Sequence, residues 1–328
     1  MSHVHAPQDW GEAAETILLQ QPRVIFMLGG GDVGKSTCTR FLVQQLVAAG
    51  RRVALVDASV GIKSVGPPAA ITLAYIEGTA EFRGVAAQAF YFVGSTSPVG
   101  RLMPIIVGTT RLLRAADAPF VIIDTCGYIT ETGRVLKTYK IDAVRPDLIV
   151  AIERSEELTP ILGAHRHLHA LRLRASPRAR SKDVWEKDLA RTKAFAHYFE
   201  GAKRHEMSLA DLAVQRSLIF TGTPAAIEGA LYAEETAEGL IVVSEKTLAA
   251  PGIVKTLKPG FDRGLLCGLA DERGEGVGLA ILEYIDFNRR VVALTTPAPA
   301  ERVRVLQLGD MYLSPDGREL GRAPMEGF

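Results

Sequence analysis

The segment GGGDVGKST at residues 29–37 constrains this chain more than any other feature. It fills every fixed position of the pattern G-x-x-x-x-G-K-[ST], which describes a loop that wraps the phosphates of a nucleotide. Residues 23–28 before it are apolar and partly β-branched, which predicts a buried strand, and residues 35–49 after it have helical spacing and end before Gly50. A strand, this loop and a helix in that order predict a phosphate-loop NTPase fold.

The loop residues are expected to hold a nucleoside triphosphate together with Mg²⁺. Glycines let successive backbone N–H groups point inward, and the N-terminus of the following helix adds about half a positive charge at the same place. Lys35 is expected to reach the β- and γ-phosphates, and the Ser36 hydroxyl is expected to bind Mg²⁺. The residues predicted to contact the nucleotide are Gly29, Gly30, Gly31, Asp32, Val33, Gly34, Lys35, Ser36 and Thr37.

Apolar strand-like runs alternate with helical runs through the first part of the chain. These runs lie at Val53–Val56, Phe90–Val93, Phe120–Ile123 and Leu148–Ile152. Their alternation with helices predicts an α/β fold with a mostly parallel sheet, in which ligands bind at the carboxyl ends of the strands.

The chain changes character after about residue 205. Beyond this point, short strand-like runs separated by glycines, such as Gly278–Ile285 and Val291–Thr295, predict a small β-rich domain. We therefore expect a phosphate-loop domain over residues 1–205 and a β-rich C-terminal domain over residues 206–328.

The composition is that of an ordinary globular protein. Lys and Arg number 38 against 37 Asp and Glu, a net charge of +1, so a nucleic-acid partner would have to meet a local basic patch. Three widely spaced cysteines cannot all pair within one chain, which predicts a reducing, cytoplasmic setting. Neither a secretion signal nor an apolar run of about 18 residues is present, so we expect no membrane association.

A phosphate loop needs a carboxylate nearby for Mg²⁺, and Asp124 is the candidate. It ends the apolar run that begins at Phe120, and strand-end carboxylates of this kind hold the metal in phosphate-loop proteins. An Asp after a strand also commonly caps the next helix, but the intact loop at residues 29–37 favours the metal-side role.

Two common branches of phosphate-loop proteins lack their characteristic residues here. The guanine-specific switch proteins carry an N-K-x-D or T-K-x-D segment, which this chain does not contain. The partitioning ATPases carry an additional lysine early in the loop, where this chain has Gly30. ATP-dependent kinases and other ATPases remain.

A basic segment runs from Ser176 to Arg204, with eight Lys and Arg residues against four acidic ones. Such a run is often only the solvated face of a helix. In an enzyme of phosphoryl transfer it predicts a lid, because the transition state spreads charge over oxygens that need cationic donors. Lys187 and Arg191 are four residues apart, so they share one helix face and are expected to point at the same phosphate.

In this order, the motifs resemble those of the polynucleotide 5′-hydroxyl kinases related to the RNA-processing kinases of eukaryotes and archaea. Besides the phosphate loop, the segments that carry the resemblance are residues 56–58, 66–68, 92–98, 124–129, 148–154 and 194–199. Pieces of the β-rich part, residues 279–287 and 312–320, also resemble that family.

The resemblance implies transfer of the γ-phosphoryl group of ATP, with Mg²⁺, to the 5′-hydroxyl of a single-stranded or end-accessible RNA or DNA strand. The residues that it assigns are Lys35, Ser36 and Thr37 for phosphates and metal, Asp124 for the metal, and Lys187 with Arg191 for the lid pair. The family usually has two arginines in the lid, whereas Lys187 offers a point charge in place of a bidentate fork.

The chain departs from the family after its second strand. The family shows D-x-D-x-G-Q, in which the second Asp is assigned as the base or orienter of the attacking hydroxyl, and this chain has Ser59 there and Ile62 in place of the Gln. Asp57 points to the same side of an extended strand as residue 59, so it is the candidate substitute base, with loop orientation as the alternative role. Ser59, Ile62 and Thr125 are the predicted substrate-side residues.

Three functions are consistent with this pattern. The first is an active polynucleotide 5′-kinase, the second is a module that binds ATP and nucleic acid but has weakened or lost chemistry through Ser59 and Ile62, and the third is a small-molecule kinase. Trp185 and Tyr198 in the basic segment are candidates for stacking on a nucleobase, with packing inside the lid as the alternative.

Overall fold

A computed structural model describes the chain over residues 6–77, 82, 85–217 and 219–322. It divides into two units, residues 1–191 and 192–328. Within the described ranges, no helix is both long enough and apolar enough to cross a membrane.

The first unit is built on a seven-stranded sheet within the described residues. Its strands are β1 (Val24–Gly29), β2 (Val53–Ala58), β3 (Ala70–Ile76), β4 (Ala89–Phe92), β5 (Phe120–Thr125), β6 (Leu148–Glu153) and β7 (Ala170–Arg174). They lie in the order β4-β3-β2-β5-β1-β6-β7. The neighbours from β2 to β7 are parallel, while β3 and β4 join as antiparallel strands at one edge. The predicted mostly parallel sheet is confirmed.

Helices cover both faces of this sheet. They are α1 (Gln8–Gln20), α2 (Lys35–Ala48), α3 (Leu102–Ala115), α4 (Thr132–Val144), α5 (Thr159–Ala164) and α6 (Val184–Tyr198). Successive residues of β1 point to opposite faces, so Phe26 packs in the core beneath α3 and α4 while Met27 packs in the core beneath α1 and α2. Because both faces are buried, the central strands β1, β2, β5 and β6 are apolar along most of their length.

The parallel strands bring three connections to one edge of the sheet. Asp57 in β2 lies opposite Asp124 in β5, and Gly29 at the end of β1 lies opposite Ile152 in β6. The connections that leave β1, β2 and β5 therefore open at the same carboxyl edge, where the fold predicts a ligand.

The second unit is rich in strands, as predicted. They are β8 (Lys203–Ser208), β9 (Ala213–Gln215), β10 (Thr223–Pro224), β11 (Tyr232–Thr236), β12 (Gly239–Val243), β13 (Ile253–Leu257), β14 (Leu265–Ala270), β15 (Gly276–Asp286), β16 (Val291–Thr296), β17 (Val305–Leu313) and β18 (Glu319–Arg322). Short 3₁₀ helices lie at Leu209–Asp211 and Ala300–Arg302. One sheet has the order β18-β17-β14-β15-β16-β8 with β9 beside β17, and a smaller sheet has the order β10-β11-β12-β13.

The two units divide inside α6, at Arg191, whereas the predicted domain boundary lies after residue 205. The second half of α6 packs with the β-rich part: Phe195 is fully buried, and the Tyr198 hydroxyl accepts a hydrogen bond of 2.8 Å from the Leu279 N–H. The predicted lid, residues 176–204, is therefore shared between the units.

Candidate active site

Two glycines shape the phosphate-binding loop between β1 and α2. A Cβ atom on Gly29 would lie 2.6 Å from the carbonyl oxygen of Ile152, so the neighbouring strand leaves no room for a side chain. Gly34 has a φ angle of 98°, which side chains of L residues rarely adopt, and it is the residue from which α2 begins. The backbone thus turns directly onto the N-terminus of α2, as the motif predicts.

A cavity of about 730 Å³ lies at this loop, and all the residues of its wall belong to the first unit. The wall combines the loop, the connection after β2, the turn after β5 and the segment that leads into α6. The predicted site residues in the wall are Gly31, Asp32, Gly34, Lys35, Ser36, Thr37, Ser59, Ile62, Thr125, Lys187 and Arg191. The predicted residues outside the wall are Gly29, Gly30, Val33, Asp57 and Asp124.

Lys35 begins α2 and is largely buried. Its ammonium donates a hydrogen bond back to the carbonyl oxygen of Gly30. Burial, helped by the nearby charge of Lys137, lowers the pKa of Lys35 to about 8. The side chain is therefore folded over the loop, where an ammonium stabilises phosphate oxygens.

Asp124 lies on β5 next to the loop and is almost completely buried. Burial and the adjacent charge of Asp57 raise its pKa to about 6, against the opposing effects of a hydrogen bond with Ser36 and the charges of Lys35 and Lys63. Within the described residues, its Oδ1 atom has no hydrogen-bond partner.

The Ser36 hydroxyl and the Asp124 carboxylate together fit Mg²⁺. A buried carboxylate oxygen without a partner is a ligand in need of a cation, and Mg²⁺ is commonly held by one or two carboxylates together with substrate phosphates. Over the described ranges, no group of three or more His, Cys, Asp and Glu side chains is placed to hold a metal ion.

The Asp57 carboxylate organises the connection that follows β2. It accepts hydrogen bonds from the backbone N–H groups of Ser59 at 3.1 Å, Ser64 at 2.6 Å and Val65 at 3.2 Å, and it pairs with Lys63 at 3.2 Å. Both carboxylate oxygens are thus engaged. This arrangement favours the alternative role, in which Asp57 orients the loop, and its action as a base stays a prediction.

Lys63 is a site residue that the sequence did not reveal. Its ammonium also donates hydrogen bonds to the carbonyl oxygens of Asp57 at 2.7 Å and Ser59 at 3.0 Å. The buried ammonium therefore holds together the connection that follows β2. Burial lowers the pKa of Lys63, while the Asp57 carboxylate opposes this change. No local pattern marks this lysine, because its partners are backbone atoms of the same irregular loop.

The turn after β5 is held by a second buried lysine that the sequence did not reveal. Lys137 on α4 donates hydrogen bonds to the Thr125 hydroxyl at 2.8 Å and to the Cys126 carbonyl oxygen at 2.5 Å. The Thr125 hydroxyl in turn donates to the carbonyl oxygen of Met27 on β1 at 2.7 Å. Thr125 therefore lines the cavity in a fixed orientation.

The predicted lid pair lies in the cavity wall, but each cation already has an acidic neighbour. The Lys187 ammonium lies 2.8 Å from the Asp32 carboxylate, and Arg191 pairs with Asp188 one turn earlier on α6. Asp32 also accepts a hydrogen bond of 3.3 Å from the Lys182 N–H. Burial tends to raise the pKa of Asp32, yet the hydrogen bond with Lys187 and the other contacts hold it below its usual value.

Arg154 connects the phosphate-binding loop to the lid. Its guanidinium donates hydrogen bonds to the carbonyl oxygens of Asp32 at 3.0 Å and Ala179 at 2.9 Å. The Glu157 carboxylate accepts from the Arg154 N–H at 2.9 Å and so fixes the backbone from which this side chain extends. The sequence signal that could have identified Arg154 is its position directly after β6, at the edge of the sheet where ligands bind.

Fold and site together define a phosphate-loop NTPase whose cavity wall includes the basic segment that leads into α6. The family model described as mRNA cleavage and polyadenylation factor CLP1 P-loop matches residues 29–201. A polyribonucleotide 5′-hydroxyl-kinase of Pyrococcus furiosus is 34% identical, over 96% of this chain and 95% of that protein. Another, of Methanocaldococcus jannaschii, is 31% identical over 96% of this chain and 94% of that protein. The chain belongs to this family of CLP1-type polynucleotide 5′-hydroxyl kinases, and the predicted family is confirmed.

A solved structure of the wild-type Clp1p–Pcf11p complex has the same fold. It matches with a TM-score of 0.62 and 13% identity, over 93% of this chain and 79% of that chain. The predicted fold class, a phosphate-loop fold with a β-rich C-terminal part, is thus confirmed.

Proposed function

We propose that this protein transfers the γ-phosphoryl group of ATP to the 5′-hydroxyl of a polynucleotide, with RNA as its acceptor. The observation that carries the proposal is that one cavity wall contains the phosphate loop, the connection after β2 and the lid pair. An acceptor end that enters this cavity meets the donor phosphates and the lid cations together. The names of the relatives support RNA as the acceptor.

Different residues of the site are proposed to bind the donor, the metal and the transferring group. The loop N–H groups and Lys35 hold the donor phosphates, and Lys187 with Arg191 supplies positive charge where the transferring group gains it. When bound, Mg²⁺ neutralises phosphate charge, and Ser36 with Asp124 would hold it. Lys187 must leave Asp32 to reach the phosphate, so donor binding competes with this ion pair.

The part of the site that would activate the acceptor hydroxyl lacks the acidic residue that the family has there. Ser59 and Ile62 line the cavity where the family has Asp and Gln, and the Asp57 carboxylate is committed to its own loop. A general base contributes a factor of about 10² to 10⁴ in rate, whereas positioning and charge stabilisation supply most of phosphoryl transfer. The protein is therefore proposed as an active kinase in which Ser59 orients the hydroxyl without acting as a strong base.

The setting proposed for this reaction is the cytoplasm. It is supported by the state of the cysteines: Cys38, Cys126 and Cys267 all carry free thiols. Free thiols of this kind are typical of a reducing compartment.

A label-transfer assay tests the proposed activity. The protein is incubated with γ-labelled ATP, Mg²⁺ and matched RNA and DNA oligonucleotides that carry a 5′-hydroxyl, with 5′-phosphorylated strands as blanks. We expect transfer to the RNA end, its loss in Lys35→Ala, and a rate raised about tenfold or more by Ser59→Asp with Ile62→Gln, because a base is restored.

Three outcomes separate the alternatives. Activity that appears only in the Ser59→Asp, Ile62→Gln variant would identify a binding module that has lost its chemistry. Equal activity on a mononucleoside and an oligonucleotide would identify a small-molecule kinase. If neither the wild-type protein nor the Ser59→Asp, Ile62→Gln variant transfers label at any enzyme concentration, the proposed function is wrong.

A further inference from the structure

The first turn of α6 presents a large aromatic side chain to solvent. Trp185 is 69% exposed. Within the described residues it makes no ring contact, hydrogen bond or ion pair. Tryptophan gains more from burial than most residues, and a large exposed aromatic surface in a basic segment is typical of a nucleic-acid contact.

Trp185 stands on a rigid turn. The Glu186 N–H donates to the Asp183 carboxylate at 2.7 Å and the Asp183 N–H donates to the Glu186 carboxylate at 3.1 Å, which is a capping box at the start of α6. Arg180 adds two hydrogen bonds to the same Glu186 carboxylate, at 2.8 and 2.6 Å. A frayed helix end therefore does not explain the exposure of the ring.

The surroundings of Trp185 complement a polyanion. The neighbouring cations Arg178, Lys182 and Lys187 lie in the wall of the cavity, whereas Trp185 itself lies outside that wall. A nucleic-acid strand offers phosphates to such cations and flat base surfaces to an aromatic ring. Because the 5′ end must lie inside the cavity, a ring outside the wall is placed for a nucleotide further along the strand.

We propose that Trp185 is a stacking platform for a nucleobase of the acceptor strand, beyond the nucleotide that receives the phosphoryl group. The proposal rests on the proposed 5′-kinase activity. Tyr198, the other aromatic candidate of the basic segment, does not share this role, because its hydroxyl is engaged by the Leu279 N–H and burial raises its pKa to about 12.

The first test compares acceptors of different length. Trp185→Ala is expected to raise the KM for a ten-nucleotide RNA about tenfold, which is typical of the loss of one stacked base. The KM for ATP and the rate with a mononucleoside 3′-phosphate acceptor should stay unchanged. Trp185→Phe, which keeps a π-face, should restore most of the affinity. Leu19→Ala removes a side chain that is 84% exposed on α1 and serves as the matched control.

The second test is independent of catalysis. The chain has two tryptophans, and Trp10 is fully buried but lies in the cavity wall, so the fluorescence of Trp185 is taken as the difference between the wild-type protein and Trp185→Phe. Titration with the ten-nucleotide RNA, without ATP, should quench this difference signal. Titration with ATP alone should leave the contribution of Trp185 to the fluorescence unchanged.

The proposal is overturned by any result that places the ring at the donor base or away from the strand. Quenching of Trp185 by ATP alone, or a raised KM for ATP in Trp185→Ala, would assign the ring to the donor base. An equal loss with the mononucleoside and the oligonucleotide, or no quenching by RNA, would exclude a contact along the strand. If label transfer fails in every protein while RNA still quenches Trp185, the kinase activity is wrong and the strand contact stands.

Discussion

At the scale of single residues, Lys140 on α4 has the least favourable position in the first unit. It is completely buried, and within the described residues its ammonium has no hydrogen-bond partner. Burial, together with the charge of Lys137, lowers its pKa to about 7. Between pH 7 and 10 the unfolded chain therefore binds more protons at this residue than the folded protein does, so its contribution to stability increases as the pH rises.

Lys140→Met should stabilise the protein most strongly at neutral and lower pH. The change removes a buried group without a partner and keeps a flexible apolar chain, which is worth about 2 kcal/mol or more at pH 7. The advantage over wild type should shrink as the pH rises toward 10, because Lys140 is then neutral in the folded protein and a growing fraction of it is neutral in the unfolded chain, where its pKa is the ordinary 10.5. The measurement is the free energy of unfolding from urea titrations at several pH values between 6 and 10.

The matched control is Lys193→Met, since Lys193 is exposed on the same type of element. It should leave the free energy of unfolding unchanged at every pH. A Lys140→Met variant that is less stable than wild type at pH 7 would mean that the ammonium has a stabilising partner.

At the scale of elements, the predicted lid contacts the phosphate-binding loop at Asp32. Its carbonyl oxygen accepts from Arg154, which also holds Ala179, and its carboxylate accepts from the Lys182 N–H and pairs with Lys187. Asp32 has a positive φ angle of 55°, a conformation that Asp tolerates better than most residues. The backbone and the side chain of Asp32 thus both take part in the contacts between the loop and the predicted lid.

Arg154→Ala should loosen the lid and leave the sheet intact. Two hydrogen bonds to backbone carbonyls are lost, each worth about 1 kcal/mol, so the KM for ATP should rise about fivefold or more. Trypsin should cut after Arg178 and Arg180 faster in this variant than in wild type, which reports on the lid without any catalysis. Arg154→Lys keeps a hydrogen-bond donor, so its KM for ATP and its rate of trypsin cleavage should lie between those of wild type and Arg154→Ala.

Arg166→Ala serves as the control for this element, because Arg166 is exposed and lies outside the cavity wall. Its trypsin pattern between residues 176 and 183 and its KM for ATP should match wild type. Unchanged proteolysis in Arg154→Ala would show that the hydrogen bonds of Arg154 do not hold this segment in place.

At the scale of the whole molecule, the predictions that succeeded rest on local patterns. Contiguous motifs or apolar runs mark the phosphate loop, α2, and the strands β2 and β5 that contain Asp57 and Asp124. Lys63, Lys137 and Arg154 were missed because their partners include backbone carbonyl oxygens, which every residue carries, and because Arg154 and Asp32 are 122 residues apart in the chain. A contact between residues so far apart in the chain leaves no periodic pattern in the sequence.

The net charge of the molecule bears on how it holds its acceptor. The whole chain carries +1, so binding of a strand depends on the cations of the cavity wall rather than on general attraction. Within the described residues, four cations of the wall form no salt bridge: Lys35, which the donor phosphates would occupy, and Arg40, Arg178 and Lys182, which are left for the strand. They are the groups that can take up phosphates without giving up a partner.

The affinity for single-stranded RNA should therefore depend on salt with a slope set by about three phosphate contacts. Each contact contributes about −0.7 to the slope of log K against log salt concentration, which gives about −2. Fluorescence anisotropy of a labelled RNA between 50 and 300 mM salt measures it, and Arg178→Gln should make the slope about 0.7 less negative, whereas Arg166→Gln should not. A slope near −6 would instead mean that the strand runs over cations well outside the cavity, because the wall does not offer that many unpaired groups.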